Sequence, residues 1–185
     1  MKRVVAVCLV LIVILCGCDL KFKEKIKPEE RVEIVYPAEL IGLYWQYKEG
    51  WAESLRVSSL KGNAYSIWWD DDDDSVHMVL RDSDLPFWKE HRANILDEWN
   101  QKFSECGDAF EIAISEDYRK VTIYCTPAIP AEDVTLYAKY AEFYAACTQV
   151  EQGVEDWFVQ VTIYNLDISA IAYTCTSNDV FSFEW

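Results

Sequence analysis

The sequence predicts an α+β protein in which two helices pack on a mainly antiparallel sheet. Two long stretches place apolar residues three and four positions apart, which is typical of helices with a buried face. Several shorter stretches alternate apolar and polar residues, which is typical of strands with one buried face. The 185 residues are 51% hydrophobic and 15% aromatic, with only six glycines and five prolines, and this composition is typical of a globular protein.

The first part of the domain reads as a meander of short strands. From about Val35 apolar and polar positions alternate, and an acidic run precedes the fourth strand. The sequence Lys61-Gly62-Asn63 predicts a hairpin turn between the second and third strands. The predicted strands are residues 41–47, 54–60, 64–69 and 76–80.

Two helices carry the clearest patterns. Helix A can be capped by Ser83 or Asp84, has Pro86 in its first turn and ends before Gly107. Its stripe contains Trp88, Arg92, Ile95, Leu96, Trp99, Phe103 and Cys106. Helix B spans about residues 131–150 and has two apolar stripes, so we expect it to be the central helix with neighbours on two sides.

The remaining elements are short strands. Residues 110–114 and 121–125 alternate on either side of a turn at 115–117, which predicts a hairpin. The chain ends in three predicted strands, residues 157–164, 168–176 and 180–185.

A weak internal sequence repeat suggests an αββ duplication. Each helix ends in aromatic-x-x-Cys, each following hairpin ends in Cys-Thr, and Val-Thr-Ile-Tyr occurs at 121–124 and at 161–164. The two tetrapeptides fall in different strands of their hairpins, so they do not occupy equivalent positions in the two αββ units. The alternative is two amphipathic segments that draw on the same residue preferences.

The N-terminus has the features of a bacterial secretion signal. Lys2 and Arg3 precede an apolar run over residues 4–15, which has the length of a signal-peptide core. The run ends in Leu15-Cys16-Gly17-Cys18, which resembles the lipobox of bacterial lipoproteins. The resemblance implies cleavage by signal peptidase II before Cys18 and a diacylglycerol on its sulfur, which would anchor the protein in a membrane. An ordinary cleavable signal or a short N-terminal anchor is the alternative.

These features divide the chain into a signal peptide (1–17), a lipidated cysteine with a charged tether (18–34) and one acidic, aromatic-rich domain (35–185). Residues 28–185 contain 11 Lys plus Arg and 30 Asp plus Glu, a net charge of −19. A surface this acidic excludes nucleic acid as a partner, because it repels a phosphate backbone. It favours a protein partner, which could be basic.

The signal implies an oxidising compartment, in which cysteines can form disulfides. Cys8 and Cys16 lie in the signal and Cys18 is the lipidation site, which leaves an even number in the domain. Two disulfides are predicted, and the internal sequence repeat favours pairs that join a helix to a strand. The candidates are Cys106 with Cys125 and Cys147 with Cys175. The alternative is buried thiols that pack as small apolar side chains. Their spacing does not fit a zinc site.

A pair of tryptophans and an acidic run form the candidate interaction face. Its residues are Trp68, Trp69, Asp70, Asp71, Asp72, Asp73 and Asp74. Carboxylate oxygens suit Ca²⁺, but the run lacks the spacing and the glycine that direct ligands inward in a calcium loop. We therefore expect a solvated, self-repelling loop with at most weak Ca²⁺ association, and no cofactor or resident metal.

The other aromatic residues divide into two groups. Trp88, Trp99 and Trp157 fall on apolar faces and are predicted to pack in the core. Tyr44, Trp45 and Trp51 are harder to place, because adjacent rings on a strand point to opposite faces.

Catalytic motifs are not recognisable. The chain has no nucleophile elbow, phosphate-binding loop or His-Glu-x-x-His helix. Its two histidines, His77 and His91, are expected to have solvated or structural roles. We therefore expect a non-enzymatic, membrane-anchored domain outside the cytoplasm that recognises a protein, as an immunity or inhibitor protein does. A carbohydrate- or cell-wall-binding module and a carboxylate-dependent hydrolase are the alternatives.

Overall fold

The computed structural model describes residues 30–45, 48–58, 63–106 and 109–185, and it has the predicted α+β class. The strands are β1 (Arg31–Tyr36), β2 (Ser66–Asp70), β3 (Ser75–Arg81), β4 (Phe110–Ile114), β5 (Lys120–Cys125), β6 (Gln160–Asn165) and β7 (Ala170–Thr176). The helices are α1 (Ala38–Gly42), α2 (Lys48–Ser58), α3 (Leu85–Cys106) and α4 (Ala131–Glu151). A short 3₁₀ turn, Asp82–Asp84, leads into α3.

The strands form two sheets. The first sheet is antiparallel, with β3 between β1 and β2. The second has the order β4-β5-β6-β7, with antiparallel pairs at both edges and a parallel pair, β5 and β6, at its centre. A parallel pair needs a long crossover connection, and α4 supplies it.

The repeated Val-Thr-Ile-Tyr tetrapeptides lie side by side in β5 and β6. Their register is Val121 with Val161 and Ile123 with Ile163, and all four of these side chains are fully buried. On the opposite face the rings of Tyr124 and Tyr164 are 5.7 Å apart. The element order α-β-β occurs twice, as α3-β4-β5 and α4-β6-β7. The duplication itself stays a prediction.

Helix α4 is the central helix, as its two apolar stripes predicted. It contacts β1 of the first sheet and β4, β5 and β6 of the second, as well as α1 and α3. Every residue from Ala141 to Gln149 is buried. The Gln149 amide inside this stretch donates to the carbonyls of Tyr118 (2.8 Å) and Phe158 (3.0 Å), so its burial leaves no donor unused.

A left-handed glycine ends α4. Gly153 has φ of +79°, its N–H donates to the carbonyl of Val150 (2.9 Å), and the N–H of Val154 donates to the carbonyl of Gln149 (3.0 Å). This pair of hydrogen bonds is the Schellman motif, in which glycine adopts the conformation without steric cost.

Helices α3 and α4 pack through aromatic rings. The Trp99 ring lies 4.8 Å from the rings of Tyr137 and Tyr140 and meets both edge to face. Trp88 is fully buried, and its Nε1–H donates to the carbonyl of Asn63 (3.0 Å). The predicted packing roles of Trp88 and Trp99 are confirmed.

Two predicted strands are wrong. Residues 38–42 form α1 and residues 48–58 form α2, where strands at 41–47 and 54–60 were expected. In α2 the buried residues are Trp51, Ala52 and Leu55, which is helical spacing. A short apolar run does not distinguish a strand from a buried helix by periodicity alone. The predicted turn at 61–63 lies mostly outside the described residues.

Both ends of the described fold also differ from the prediction. Strand β1 pairs with β3 from Arg31 onward, so residues 31–34 belong to the sheet rather than to the tether. Residues 180–185 were predicted as a strand, but they follow β7 without a regular ladder. Their side chains still dock on the core, since Phe183 is buried and Trp185 Nε1–H donates to the carbonyl of Ile129 (2.7 Å).

The predicted disulfides are not formed among the described side chains. Cys125, Cys147 and Cys175 are free and buried, which rules out both predicted pairs in this structure. The side chain of Cys106 lies outside the described set. Burial raises the pKa of the Cys125 thiol to about 12 and of the Cys175 thiol to about 11, and it also raises the pKa of Cys147. These thiols therefore pack as small apolar side chains, the alternative that the sequence left open.

None of the described helices combines the length and the apolar character needed to cross a bilayer.

Candidate functional site

The predicted interaction residues lie together on one hairpin, β2–β3. Trp68, Trp69 and Asp70 end β2, and Asp71 to Asp74 form the turn before β3. The four turn residues are all exposed, and Asp74 has a positive φ of 56°. We call residues 70–74 the acidic tip.

Hydrogen bonds that the carboxylates accept fix the backbone of the acidic tip. Asp70 Oδ1 accepts from the backbone N–H of Asp72 (2.9 Å), and Asp73 Oδ1 accepts from the backbone N–H of Ser75 (3.1 Å). These are Asx-type turns, in which a short acidic side chain holds its own backbone two residues ahead. In addition, Trp69 Nε1–H donates to Asp71 Oδ1 at 2.5 Å. The tip is solvated as predicted, but its backbone is tied in place.

His77 is held from three sides beside the acidic tip. Its Nδ1 lies 2.8 Å from Glu33 Oε1 of β1, and its Nε2 lies 2.8 Å from Ser75 Oγ and 3.3 Å from Asp73 Oδ2. The Trp68 ring stacks on the imidazole with centroids 4.9 Å apart and an angle of 13° between the planes. The antiparallel pairing of β1 with β3 brings Glu33 into reach.

This geometry favours the doubly protonated imidazole. Because the Ser75 hydroxyl donates its proton to Asp73 Oδ1 (2.5 Å), Ser75 Oγ is left to accept from His77 Nε2–H. Burial alone would lower the pKa of His77, but the hydrogen bonds to Glu33 and Asp73 outweigh it, and the net pKa is raised. The Ser75 hydrogen bond, followed by His77, lowers the pKa of Asp73. The imidazole therefore stays protonated to a higher pH than a free histidine, and in its protonated form it pairs with carboxylates on both sides.

Ser75 contacts His77, and His77 contacts Glu33. A hydrolase uses the same order of contacts for its nucleophile, its base and the acid that orients the base. Two observations oppose that role. The Ser75 proton is directed to Asp73 rather than to His77, and Ser75 is only 2% exposed. A hydroxyl with this arrangement is neither activated nor open to a substrate, so the cluster serves as a cross-link between β1, β3 and the acidic tip.

Three side chains of this hairpin could face a common cation. Potential ligand atoms of Asp70, Asp73 and His77 all lie within 4.8 Å of one another. A cation here would have to replace the proton on His77 Nε2, and a set with one imidazole suits a transition metal better than Ca²⁺, which takes six to eight oxygens. The weak Ca²⁺ association expected of the acidic tip stays a prediction.

The aromatic residues that are hard to place from sequence pack on the core, Trp51 as a buried side chain and Tyr44 and Trp45 as partly buried ones. Trp51 is buried, with its ring 4.9 Å from Tyr36 and 5.2 Å from Phe143. Tyr44 lies 5.1 Å from Tyr140. Among the described tryptophans, Trp185 alone is exposed.

Comparison with known proteins adds no relatives. The chain matches no family model, no curated protein and no solved structure.

Proposed function

We propose that this protein is a lipid-anchored domain outside the cytoplasm that binds a basic partner protein through the acidic tip of the β2–β3 hairpin. The resemblance of residues 1–18 to a lipoprotein signal supports the anchor. The net charge of −19 over residues 28–185 supports the class of partner.

One observation carries the recognition role. Four consecutive exposed carboxylates, Asp71 to Asp74, lie on a turn whose backbone is already fixed by Asp70, Asp73 and the His77 cross-link. A preorganised loop loses less conformational entropy on binding than a flexible one, so more of the contact energy remains as affinity. The half-buried Trp69 beside the tip adds a large ring of the kind found at interface centres.

The charge distribution would act mainly on the rate of association. A strongly acidic surface steers a cationic partner toward encounter, and this effect weakens as salt rises. Attachment to a membrane would add an effective concentration for any partner that meets the same surface. Modest contacts at the tip would then suffice for stable occupancy.

The two other function classes have weaker support. A carbohydrate-binding module needs a row of exposed rings, whereas Trp51 and Trp88 are buried and Trp68 is covered on one face by His77. For a hydrolase, the arrangement around Ser75 directs the hydroxyl proton away from the His77 imidazole.

The test is a charge-neutralised tip with an intact turn. In the triple variant Asp71→Asn, Asp72→Asn and Asp74→Asn, the turn-holding carboxylates of Asp70 and Asp73 remain. The matched control, Glu98→Gln, Glu116→Gln and Glu184→Gln, removes the same charge from exposed positions elsewhere. The partner is first identified by cross-linking and mass spectrometry in the native host, and the purified partner is then titrated calorimetrically against each protein.

We expect the tip variant to bind at least about tenfold more weakly than the control and to lose most of the salt dependence. Equal affinities of the tip variant and the control would contradict recognition by the tip. A partner that binds both equally, with unchanged salt dependence, would also exclude a general electrostatic role.

A further inference from the structure

The first sheet has an open edge along β1. This strand pairs with β3 on one side, and no described strand pairs with its other side. Every second residue of an edge strand directs its N–H and C=O away from the sheet. Within the described part of the chain, no hydrogen bond reaches the backbone of residues 32–35 from that side. These backbone groups are therefore available to another extended segment.

The edge strand β4 of the second sheet shows how this fold covers such an edge. The Asn100 side chain of α3 donates to the carbonyl of Ile112 (3.1 Å) and accepts from the N–H of the same residue (2.8 Å). A side-chain amide thus takes the place of a neighbouring strand. Uncovered edges invite pairing with another chain, so proteins usually protect them. The open edge of β1 differs from β4 in this respect.

A groove of about 580 Å³ runs along the open edge of β1. Its lining includes the four consecutive residues 32–35. Successive side chains of a strand point to opposite faces, so a groove that contacts four residues in a row follows the edge rather than either face. Four residues of a strand extend over about 13 Å. The groove therefore has the position and the length for one added strand.

The charged side chains of the groove are acidic. Its opposite wall is formed by the end of α4 and the segment after it, between Val150 and Trp157. Glu33 and Glu155 line the groove and are exposed, and its described lining residues include no lysine, arginine or histidine. Glu151 also lines it, but Arg92 compensates its charge. A basic segment is attracted to this groove, whereas an acidic segment is repelled.

Apolar side chains complete the lining, and they include Val32, Val35, Val154 and Trp157. Val35 is 41% exposed, and Trp157 is half-buried. A strand presents alternate side chains to opposite faces. A segment that alternates basic and apolar residues can therefore contact the carboxylates with one set of side chains and the apolar residues with the other.

We propose that the open edge of β1 binds an extended basic segment of a partner protein, which adds a strand to the first sheet. Backbone hydrogen bonds to β1 provide the affinity, and the Glu33 and Glu155 carboxylates provide the preference for a basic segment. This surface is separate from the acidic tip. Recognition by the tip can fail while the edge still binds, and the reverse also holds.

Three blocked peptides test the proposal on the purified full-length protein. The first alternates lysine and valine, the second alternates glutamate and valine, and the third is the lysine–valine peptide with N-methyl groups on its central residues. The third peptide keeps the charge of the first but loses the central backbone donors. Each is titrated into isotope-labelled protein, and nuclear magnetic resonance follows the amide shifts and the hydrogen exchange of β1.

We expect saturable binding of the lysine–valine peptide, with shift changes in residues 31–36 and 150–157. Hydrogen exchange of alternate β1 amides should slow by at least about tenfold, because the added strand accepts from them. The N-methylated peptide should bind about tenfold more weakly, since it loses backbone hydrogen bonds, and the glutamate peptide should bind more weakly still. Equal affinity of the first and third peptides would overturn the added strand.

Two exposed substitutions localise the effect. Val35→Lys and Glu155→Lys each place a positive charge beside the groove and should weaken binding of the lysine–valine peptide by at least about fivefold. The matched controls, Val57→Lys and Glu116→Lys, make the same changes at exposed positions outside the groove lining and should bind like the native protein. Thermal unfolding identifies any variant that fails to fold. The tip variant should also keep the affinity of the native protein for this peptide.

Three results would overturn the proposal. The first is no saturable binding of the lysine–valine peptide. The second is equal binding by the groove variants and their controls, which would reduce the effect to general charge attraction. The third is slow exchange of the outward β1 amides before any peptide is added, because another segment of this chain or a second copy would then already cover the edge.

Discussion

Glu142 is a buried carboxyl whose ionisation destabilises the folded state. It is 3% exposed on α4, and its Oε1 has no hydrogen-bond partner among the described residues. Burial raises its pKa to about 7, with Lys139 lowering it and Asp179 raising it. In the unfolded chain this carboxyl has its ordinary pKa of 4.5. Between pH 4.5 and about 7 the folded state therefore binds a proton that the unfolded state has lost.

Glu142→Gln should therefore stabilise the protein at neutral and alkaline pH. The favourable contribution of the neutral carboxyl is complete below the unfolded pKa and is lost as pH rises through about 7. We expect a gain in unfolding free energy of about 1 to 3 kcal/mol near pH 8 and little change near pH 4. Urea denaturation at the two pH values measures this. Glu132→Gln, exposed on the same helix, is the control. A variant that gains nothing at the higher pH would show that Glu142 ionises without cost.

His77 makes the second prediction at this scale. Its raised pKa means that the protonated imidazole stabilises the fold below the ordinary value of 6.5, and that this contribution is lost as pH rises through the folded pKa. A proton–nitrogen resonance titration should give a pKa above 6.5 for His77, and Glu33→Gln and Asp73→Asn should each lower it. A value at or below 6.5 in the native protein would contradict the doubly protonated cross-link.

At the scale of elements, one buried ion pair joins α3 to α4 and both to β1. Arg92 Nη2 donates to Glu151 Oε1, and the Tyr36 hydroxyl donates to the same oxygen (2.6 Å). Burial alone would lower the pKa of Arg92, but Glu151 raises it, so the charge is retained. Burial, followed by the Glu151 charge, raises the pKa of Tyr36. Removal of one partner would leave the other charge buried and unpaired.

Arg92→Met should destabilise the protein by about 3 to 5 kcal/mol, because the Glu151 carboxylate loses its counter-charge. The double variant Arg92→Met with Glu151→Gln should recover most of that loss. The control is Arg119→Met, which breaks an exposed pair with Asp156 at 3.6 Å and should cost less than about 1 kcal/mol. Chemical denaturation of the native protein, Arg92→Met, Glu151→Gln and the double variant gives the coupling energy. A double variant that is no more stable than Arg92→Met would exclude a coupled pair.

The long periodic elements could be predicted from sequence, and the short ones could not. Helices α3 and α4 and the β4–β5 hairpin were predicted close to their observed bounds, because each extends over enough residues to show its period. Helices α1 and α2 were mistaken for strands, since short apolar runs fit either structure. The parallel pairing of the two Val-Thr-Ile-Tyr segments depends on a crossover through α4, which the local pattern does not record.

The candidate site could be predicted only in part, for a similar reason. Trp68 to Asp74 are contiguous, so the sequence identified them as a unit. Ser75 follows the run, and its alternation with His77 placed both on one face of a strand, a signal that was available. Glu33 comes from β1 through pairing of distant segments and gives no local signal.

At the scale of the whole molecule, the proposed function depends on charge and on the proposed anchor together. The described fold is acidic and has an ordered acidic tip, and the proposed acyl chains would hold it at a membrane surface. Its three described thiols are free and buried even though the predicted compartment is oxidising. Burial raises the pKa of each, so thiolate formation and oxidation should be slow while the protein is folded.

Lipid attachment at Cys18 is the property on which the proposed location and class of partner depend, and the intact mass of protein extracted from its host membranes tests it most directly. We expect a mass equal to residues 18–185 plus acyl and diacylglycerol groups. After denaturation, alkylation without reductant should label Cys125, Cys147 and Cys175. A mass equal to the uncleaved chain without lipid would contradict the anchor, and thiols that react only after reduction would contradict the free cysteines.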